Sequence, residues 1–365
     1  MNKEIFISAG DISGDLHASN LISAIKKYDK DITVTSLGGY RLASVCDNFL
    51  FNLVDLNVHG FWEPIKQYFN LKKVFNSKVV TYLKKKKPNL LILVDYYGFN
   101  IKIAEFANSL NIPVYYFISP QIWATRYNRI KKIKKYIKHM FVIFPFEEVI
   151  YRKENIPVTY VGHPLLDIIP EIDNFSDFNT ETYKIGLFPG SRKSVIKWNL
   201  PIMEKTAKIV AKEIKNTHFF IIGLSNLKES YEKSSLEVLY DVDYDTRKQL
   251  NLALTVSGTV SLENALLGIP MIIIYHLPWL MYFFIKSIIQ VSNISITNIL
   301  ANKQITPELI QHNATPENIS KLIISWLKNP EIMMNIRKEY IKLRTILGEK
   351  GAIDNTARII TNLLS

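Results

Sequence analysis

Residues 187–194 read LFPGSRKS: an apolar pair, a proline and Gly190 lead into Ser191 and Arg192, just ahead of a segment with helical spacing. Unpaired backbone amides at a helix N-terminus, reinforced by the macrodipole, attract anions. A guanidinium adds a planar fork that matches a phosphate. Gly190, Ser191 and Arg192 therefore suit a diphosphate, while the bland alternative is an ordinary strand-to-helix turn. A second turn carries matching chemistry. In VSGTVSLENALLGIP (256–270), Ser257 or Thr259 can cap a helix, Gly258 lets a ligand approach the backbone, and Glu263 lies one turn inside. A carboxylate there either accepts the two hydroxyls of a ribose or simply faces solvent. Together the two turns suit a nucleoside diphosphate.

Acidic residues dominate the other candidates. The stretch SAGDISGD (8–15) sets Gly10, Asp11, Ser13, Gly14 and Asp15 at the opening of a helix. Such a turn repels phosphate and suits a hydroxylated acceptor, although each aspartate also has a plain capping role available. Asp95 ends the apolar run LLILVD, where a charge is costly unless it has a partner or a function. Partial burial would raise its pKa towards that of a useful general base. Glu63 and His17 are reserve bases, and His163 is either a ligand contact or hinge packing. No metal-ligand spacing, G-x-S-x-G or complete P-loop occurs, so no metal or other cofactor is expected.

These residues need elements to hold them. Short apolar runs at 4–10, 32–39, 90–97, 114–119 and 139–145 read as buried parallel strands, most of them separated by helix-like stretches. The pattern repeats at 183–190, 218–225, 252–258 and 270–276. Two doubly wound α/β domains follow, joined through the proline-bearing, polar stretch 162–183. Ligands of such sheets sit beyond the carboxyl ends of the strands, which is where the candidate residues fall, and two facing sheets would define a cleft.

The bulk numbers narrow the field. A chain of 365 residues with 48% hydrophobic content can fill two cores. The single Cys46 excludes an internal disulfide and fits a reducing compartment. The opening MNKEIFISAGDISGD meets acidic and glycine residues too early for a signal-peptide core. A net charge of +12 comes largely from 83–89 and 126–139. In the second run Ile130, Ile133 and Ile137 share one helical stripe, so the run is a core face with a solvated back or a surface drawn to anionic lipid. No nucleic-acid-binding signature accompanies it. The longest apolar tract, 270–291, is broken by His276, Pro278 and Lys286 and is no membrane span.

Several stretches, in order along the whole chain, resemble the lipid-A-disaccharide synthase family of bacterial glycosyltransferases. They are SAGDISGDLHASNLI, LGGYRLASVC, VHGFWEPIK, VDYYGFNIKIA, YYFISPQIWATRYNRIKKIKK and FPFEEVIYRKENIPVTYVGHPLLD, then LFPGSRKSVI, VSGTVSLENALLGIPMIIIYH, ITNILANKQITPELIQHNATPENI and LGEKGA. The resemblance implies a GT-B fold: an acceptor-binding Rossmann-like domain at 1–165, a UDP-sugar-binding one at 166–340, and a helical segment at 341–365 packing back on the first. It implies an inverting transfer from UDP-2,3-diacylglucosamine to 2,3-diacylglucosamine 1-phosphate, giving the β-1,6-linked disaccharide 1-phosphate and UDP. Asp95 matches the family's essential carboxylate, and Arg192 the arginine of its GSR. Glu263 matches the acid after SGT, Asn298 an asparagine of the donor side, and Glu308 and Gln311 a polar pair. Three positions depart from the pattern: Asp11 where a glutamate is common, and Gly98 and Val195 where acids are frequent.

Acyl chains need an apolar landing, for which 58–75 with Trp62 and 277–285 with Trp279, Phe283 and Phe284 are the candidates. The expected location is cytoplasmic, peripheral on the anionic inner face of the inner membrane, with a homodimer left open. The rival readings are another UDP-N-acetylglucosamine-dependent transferase or epimerase, and a non-catalytic nucleotide-sugar-binding protein of the membrane surface.

Overall fold

The computed structural model describes residues 3–59, 64–124, 126–172, 178, 181–276 and 293–364. Trp62, Glu63, Trp279, Phe283 and Phe284 lie outside the described residues. The chain divides into two compact units, Met1–Asp167 with Leu347–Ser365, and Ile168–Ile346.

In the first unit, β1 (Glu4–Ala9), β2 (Thr33–Gly38), β3 (Asn48–Asn52), β4 (Leu90–Val94), β5 (Val114–Phe117), β6 (His139–Val142) and β7 (Val158–Tyr160) form one parallel sheet. Its order is β3-β2-β1-β4-β5-β6-β7. In the second unit, β8 (Tyr183–Phe188), β9 (Thr217–Gly223), β10 (Glu237–Tyr240), β11 (Leu252–Val256), β12 (Met271–Tyr275) and β13 (Glu308–Ile310) are ordered β10-β9-β8-β11-β12-β13. The apolar runs of the sequence are the inner strands. Phe6, Ile7, Leu91, Leu93, Leu187 and Leu254 are fully buried. Both faces of these strands are covered, which is why they read as continuous apolar segments.

The helices that matter below are α1 (Ile12–Tyr28), α2 (Tyr97–Ser109), α3 (Ile130–Tyr136), α4 (Pro145–Lys153), α5 (Lys193–Glu213), α6 (Thr259–Leu266), α7 (Ile296–Ala301), α8 (Pro316–Lys328), α9 (Pro330–Ile346) and α10 (Ala352–Leu364). Ile130 and Ile133 of α3, and Ile137 just beyond it, are buried, while Lys131, Lys132, Lys134 and Lys135 are exposed. The isoleucine stripe is therefore core, and the lysines form its solvated back.

The chain re-enters the first unit after α9, and the contacts explain how. The Asp167 carboxylate accepts the Gly351 amide at 2.5 Å and the Ile353 amide at 3.0 Å, capping the start of α10. The Tyr160 hydroxyl donates to the Leu347 carbonyl at 2.6 Å, and the Tyr28 hydroxyl to Asp354 Oδ2 at 2.6 Å. With Ala357 and Ile360 buried, α10 packs along α1. Within the second unit, the Arg344 guanidinium donates to the carbonyls of Ile169, Pro170 and Leu266 at 2.9–3.1 Å, fixing the end of α9.

Each sheet has one place where successive crossovers leave in opposite directions. In the first it lies between β1 and β4, in the second between β8 and β11. A doubly wound sheet opens a crevice at such a point.

Candidate active site

Strand register fixes what lines the first crevice. Ala9 pairs with Val94, so Gly10 and Asp11 leave the sheet beside Asp95. Asp95 and Tyr96 both adopt left-handed backbone, with φ of 42° and 45°. Two consecutive non-glycine residues in that region store strain of about 1–3 kcal/mol each, so the surroundings must enforce the turn. Asn100, wholly buried on α2, does so. Its Nδ2 donates to the Val94 carbonyl at 3.1 Å and the Asp95 carbonyl at 2.9 Å, while its Oδ1 accepts the Ser8 hydroxyl at 2.8 Å. The buried Tyr116 hydroxyl also donates to the Asp95 carbonyl. Gly10 is required by close approach, since a Cβ there would lie 2.0 Å from the Tyr96 ring.

Held this way, Asp95 is half-buried. Burial, and secondarily the Asp11 carboxylate, push its pKa up to about 7, against the opposing pull of the Tyr96 amide and the Arg129 charge. A carboxyl titrating near neutrality can both take a proton and be regenerated. Asp11 itself caps α1, accepting the Gly14 amide at 2.6 Å, and Ser13 is half-buried on the same first turn. Asp15 serves the backbone instead, its carboxylate accepting the amides of Gly39, Arg41 and Leu42 at 2.7, 3.1 and 3.2 Å. It caps the short helix Tyr40–Ala43, a use that the spacing of SAGDISGD does not reveal.

Both histidines singled out by type are buried. Burial lowers His17 to about 4 and, with a smaller effect of His17, His163 to about 3. Both are therefore neutral at pH 7. His163 accepts the Leu165 amide at Nδ1, 3.1 Å away, so it serves the turn that ends this part of the first unit.

The second crevice is built from the same parts and is left open. Thr255 pairs with Phe188, so the turn through Gly190 and the turn through Ser257 leave side by side. Gly190 has φ +117°, and a Cβ on it would lie 2.7 Å from Val195 Cγ1. Ser191 and Arg192 are exposed, and Arg192 forms no ion pair among the described residues. Arg192 is also the N-cap residue of α5, with no side chain capping that end. Ser194, on the first turn, has a buried hydroxyl without a partner among the described residues. At α6 the N-cap residue is Gly258, and neither Ser257 nor Thr259 caps the helix, contrary to the sequence expectation. Ser261 turns back instead, its hydroxyl donating to the Gly258 carbonyl at 2.7 Å. Among the described residues, no side chain caps either helix N-terminus.

Comparison with known proteins decides the lineage. Residues 5–361 match the family model for lipid-A-disaccharide synthetase. A lipid-A-disaccharide synthase of Coxiella burnetii is 33% identical over 374 residues, covering 100% of this chain and 99% of that one. The chain belongs to the lipid-A-disaccharide synthase family. Solved structures agree on the fold: MnaA of S. aureus with UDP superposes with a TM-score of 0.67 at 12% identity, covering 99% of this chain and 97% of that one. MurG of Acinetobacter baumannii does so with a TM-score of 0.61 at 14% identity, covering 99% of both. The architecture is the GT-B arrangement that the sequence resemblance implied.

Within this lipid-A-disaccharide synthase fold, three donor-side expectations take a new form. Asn298 is wholly buried and saturated: Nδ2 donates to Glu308 Oε1 at 2.7 Å and the Thr306 carbonyl at 2.8 Å, and Oδ1 accepts the Ile305 and Thr306 amides at 2.9 Å. Glu308 also accepts the amides of Ile294 and Ser295 and the Ser295 hydroxyl. This pair fastens α7 to β13. Gln311 follows β13 with φ 51°. Glu263 pairs with a residue that sequence inspection missed: its Oε2 lies 2.6 Å from Arg247 Nη1, while Arg247 Nη2 donates to Asn264 at 2.6 Å. Arg247 is buried beneath the rings of Phe188 and Tyr244. A cation sixteen residues away on a different element leaves no local signal. Glu147 was missed for the same reason. Burial pushes it up to about 8, and it accepts the Trp123 indole N–H at 3.2 Å and the Phe144 amide at 3.2 Å, joining SPQIWA to FPFEEV.

Proposed function

We propose that this glycosyltransferase moves 2,3-diacylglucosamine from UDP to the 6-hydroxyl of 2,3-diacylglucosamine 1-phosphate. The observation that carries the reading is the contrast between the two crevices: a neutral-range carboxyl at one, and an unpaired arginine with uncapped helix ends at the other. Asp95 takes the proton of the acceptor 6-hydroxyl as its oxygen bonds to the donor's anomeric carbon. The bond from that carbon to the UDP oxygen breaks on the opposite face, and the leaving oxygen keeps the electron pair, so the configuration inverts. Arg192 and the amides following Gly190 and Gly258 hold the diphosphate and stabilise the charge that develops on it. Glu263, oriented by Arg247, keeps one oxygen for ribose hydroxyls. Asp11 tunes the base, and Gln311 lies on the donor side.

The acylated substrates call for a membrane surface. Tyr68 and Phe69, exposed by 51% and 61%, lie beside Lys72 and Lys73 in the region expected to receive acyl chains. No helix among the described residues is long and apolar enough to cross a bilayer. A peripheral attachment to an anionic leaflet fits both.

Incubation of the purified protein with both acylated sugars tests the reaction. The expected products, identified by mass, are the β-1,6 disaccharide 1-phosphate and UDP in equal amounts. An isomerised free nucleotide sugar, or no disaccharide, would overturn it.

A further inference from the structure

Arg129 is positioned beside the proposed base without an ion pair of its own. Its guanidinium stacks on the Tyr97 ring at 4.6 Å, and the Tyr97 hydroxyl reaches back to the Arg129 carbonyl at 3.4 Å. Tyr97 opens α2 directly after the strained pair Asp95–Tyr96, so the stack ties Arg129 to the base turn. A second cation stands close by. Arg126 is exposed, has left-handed backbone with φ 58°, and its carbonyl accepts the Arg129 amide at 3.0 Å. Among the described residues no carboxylate lies within ion-pair distance of either guanidinium.

Two like charges held together without an ion-pair partner among the described residues repel. Arg129 is indeed lowered, by burial first and by Arg126 next. Neutralising Asp95 does not account for the pair, since one carboxyl leaves the second cation unmatched. A ring-stacked guanidinium keeps its N–H edge free for two parallel bonds to a phosphate. The substrate proposed to react at Asp95 carries one phosphate monoester, at the far side of the sugar from the attacking hydroxyl.

We infer that Arg129, assisted by Arg126, binds the phosphate monoester of the acceptor sugar and so orients its hydroxyl toward Asp95. The inference rests on the proposed function and names a recognition subsite within it.

The test compares Arg129→Gln and Arg126→Gln with wild type in neutral detergent micelles, using the phosphorylated acceptor and the same acceptor lacking its 1-phosphate. Arg129→Gln should raise KM for the phosphorylated acceptor by about ten- to a hundredfold, with donor KM unchanged. With the dephosphorylated acceptor, compared well above pH 7 so that Asp95 is ionised in both proteins even without the pull of Arg129, variant and wild type should perform alike. Arg126→Gln, at an exposed position with no packing to lose, should give the same pattern more weakly. Equal losses on both acceptors, or a displaced pH profile with acceptor KM intact, would overturn the inference. So would a loss seen only on anionic vesicles, which would assign the arginines to lipid headgroups. A wild-type protein that forms no disaccharide from either acceptor would instead remove the functional reading beneath it.

Discussion

At the crevice between β1 and β4 the chain spends much of its hydrogen bonding on one carboxyl: two left-handed residues, a buried asparagine, a tyrosine hydroxyl and a glycine pressed against a ring. At the corresponding crevice between β8 and β11 the same topology ends, among the described residues, in loose ends: an exposed arginine, two uncapped helices and a buried serine hydroxyl without a partner. The difference fits the ligands proposed for the two crevices. A base must be desolvated and aimed before substrate arrives, because its pKa is set by its surroundings. A diphosphate brings its own charge, so its site needs donors left unsatisfied until it binds. Under the proposed function one fold type serves both halves of a transfer through the residues that follow its strands.

Replacing single residues should separate the two roles. The largest effect is expected for Asp95→Asn, which should cut turnover by about 10²- to 10⁴-fold. The same change should raise Tm. An acid whose folded pKa lies above its unfolded value is destabilising once pH rises through that window, here from 3.8 to about 7, and asparagine removes the charge. Next comes Arg192→Ala, expected to raise the donor KM by about ten- to a hundredfold, since a charge-assisted contact to phosphate is lost. Asp11→Asn should be milder. Its carboxylate raises Asp95, so the acid limb of kcat/KM, centred near pH 7 in wild type, should move to lower pH. A limb that moves upward would break the account of the first crevice. Asp15→Ala should be smallest in kinetics and visible chiefly in stability, with about 1–3 kcal/mol lost as three amides lose their acceptor; a selective rise in acceptor KM would instead give Asp15 a contact with substrate.

What the sequence makes legible follows the same division. Inner strands announce themselves because both faces are buried. The four strands absent from the sequence reading, β3, β7, β10 and β13, are the four sheet edges; Asn48 and Phe49 of β3 and Glu237 and Tyr240 of β10 are exposed, and the apolar runs are short. Glycine turns and Asp95 were readable because a charge closing an apolar run, or a glycine before a cation, is a local anomaly. Arg247, Arg129 and Asn100 were not, because their meaning lies in partners brought together by folding. Asn298 shows the converse: nothing in its motif tells that the side chain makes four hydrogen bonds within the fold.

The claim that recognition of UDP and activation of the acceptor belong to different units is tested most directly by titrating UDP into wild-type, Asp95→Asn and Arg192→Ala proteins. Affinity should be unchanged in the first variant and reduced about tenfold or more in the second. Weakened binding in Asp95→Asn together with full affinity in Arg192→Ala would contradict that division.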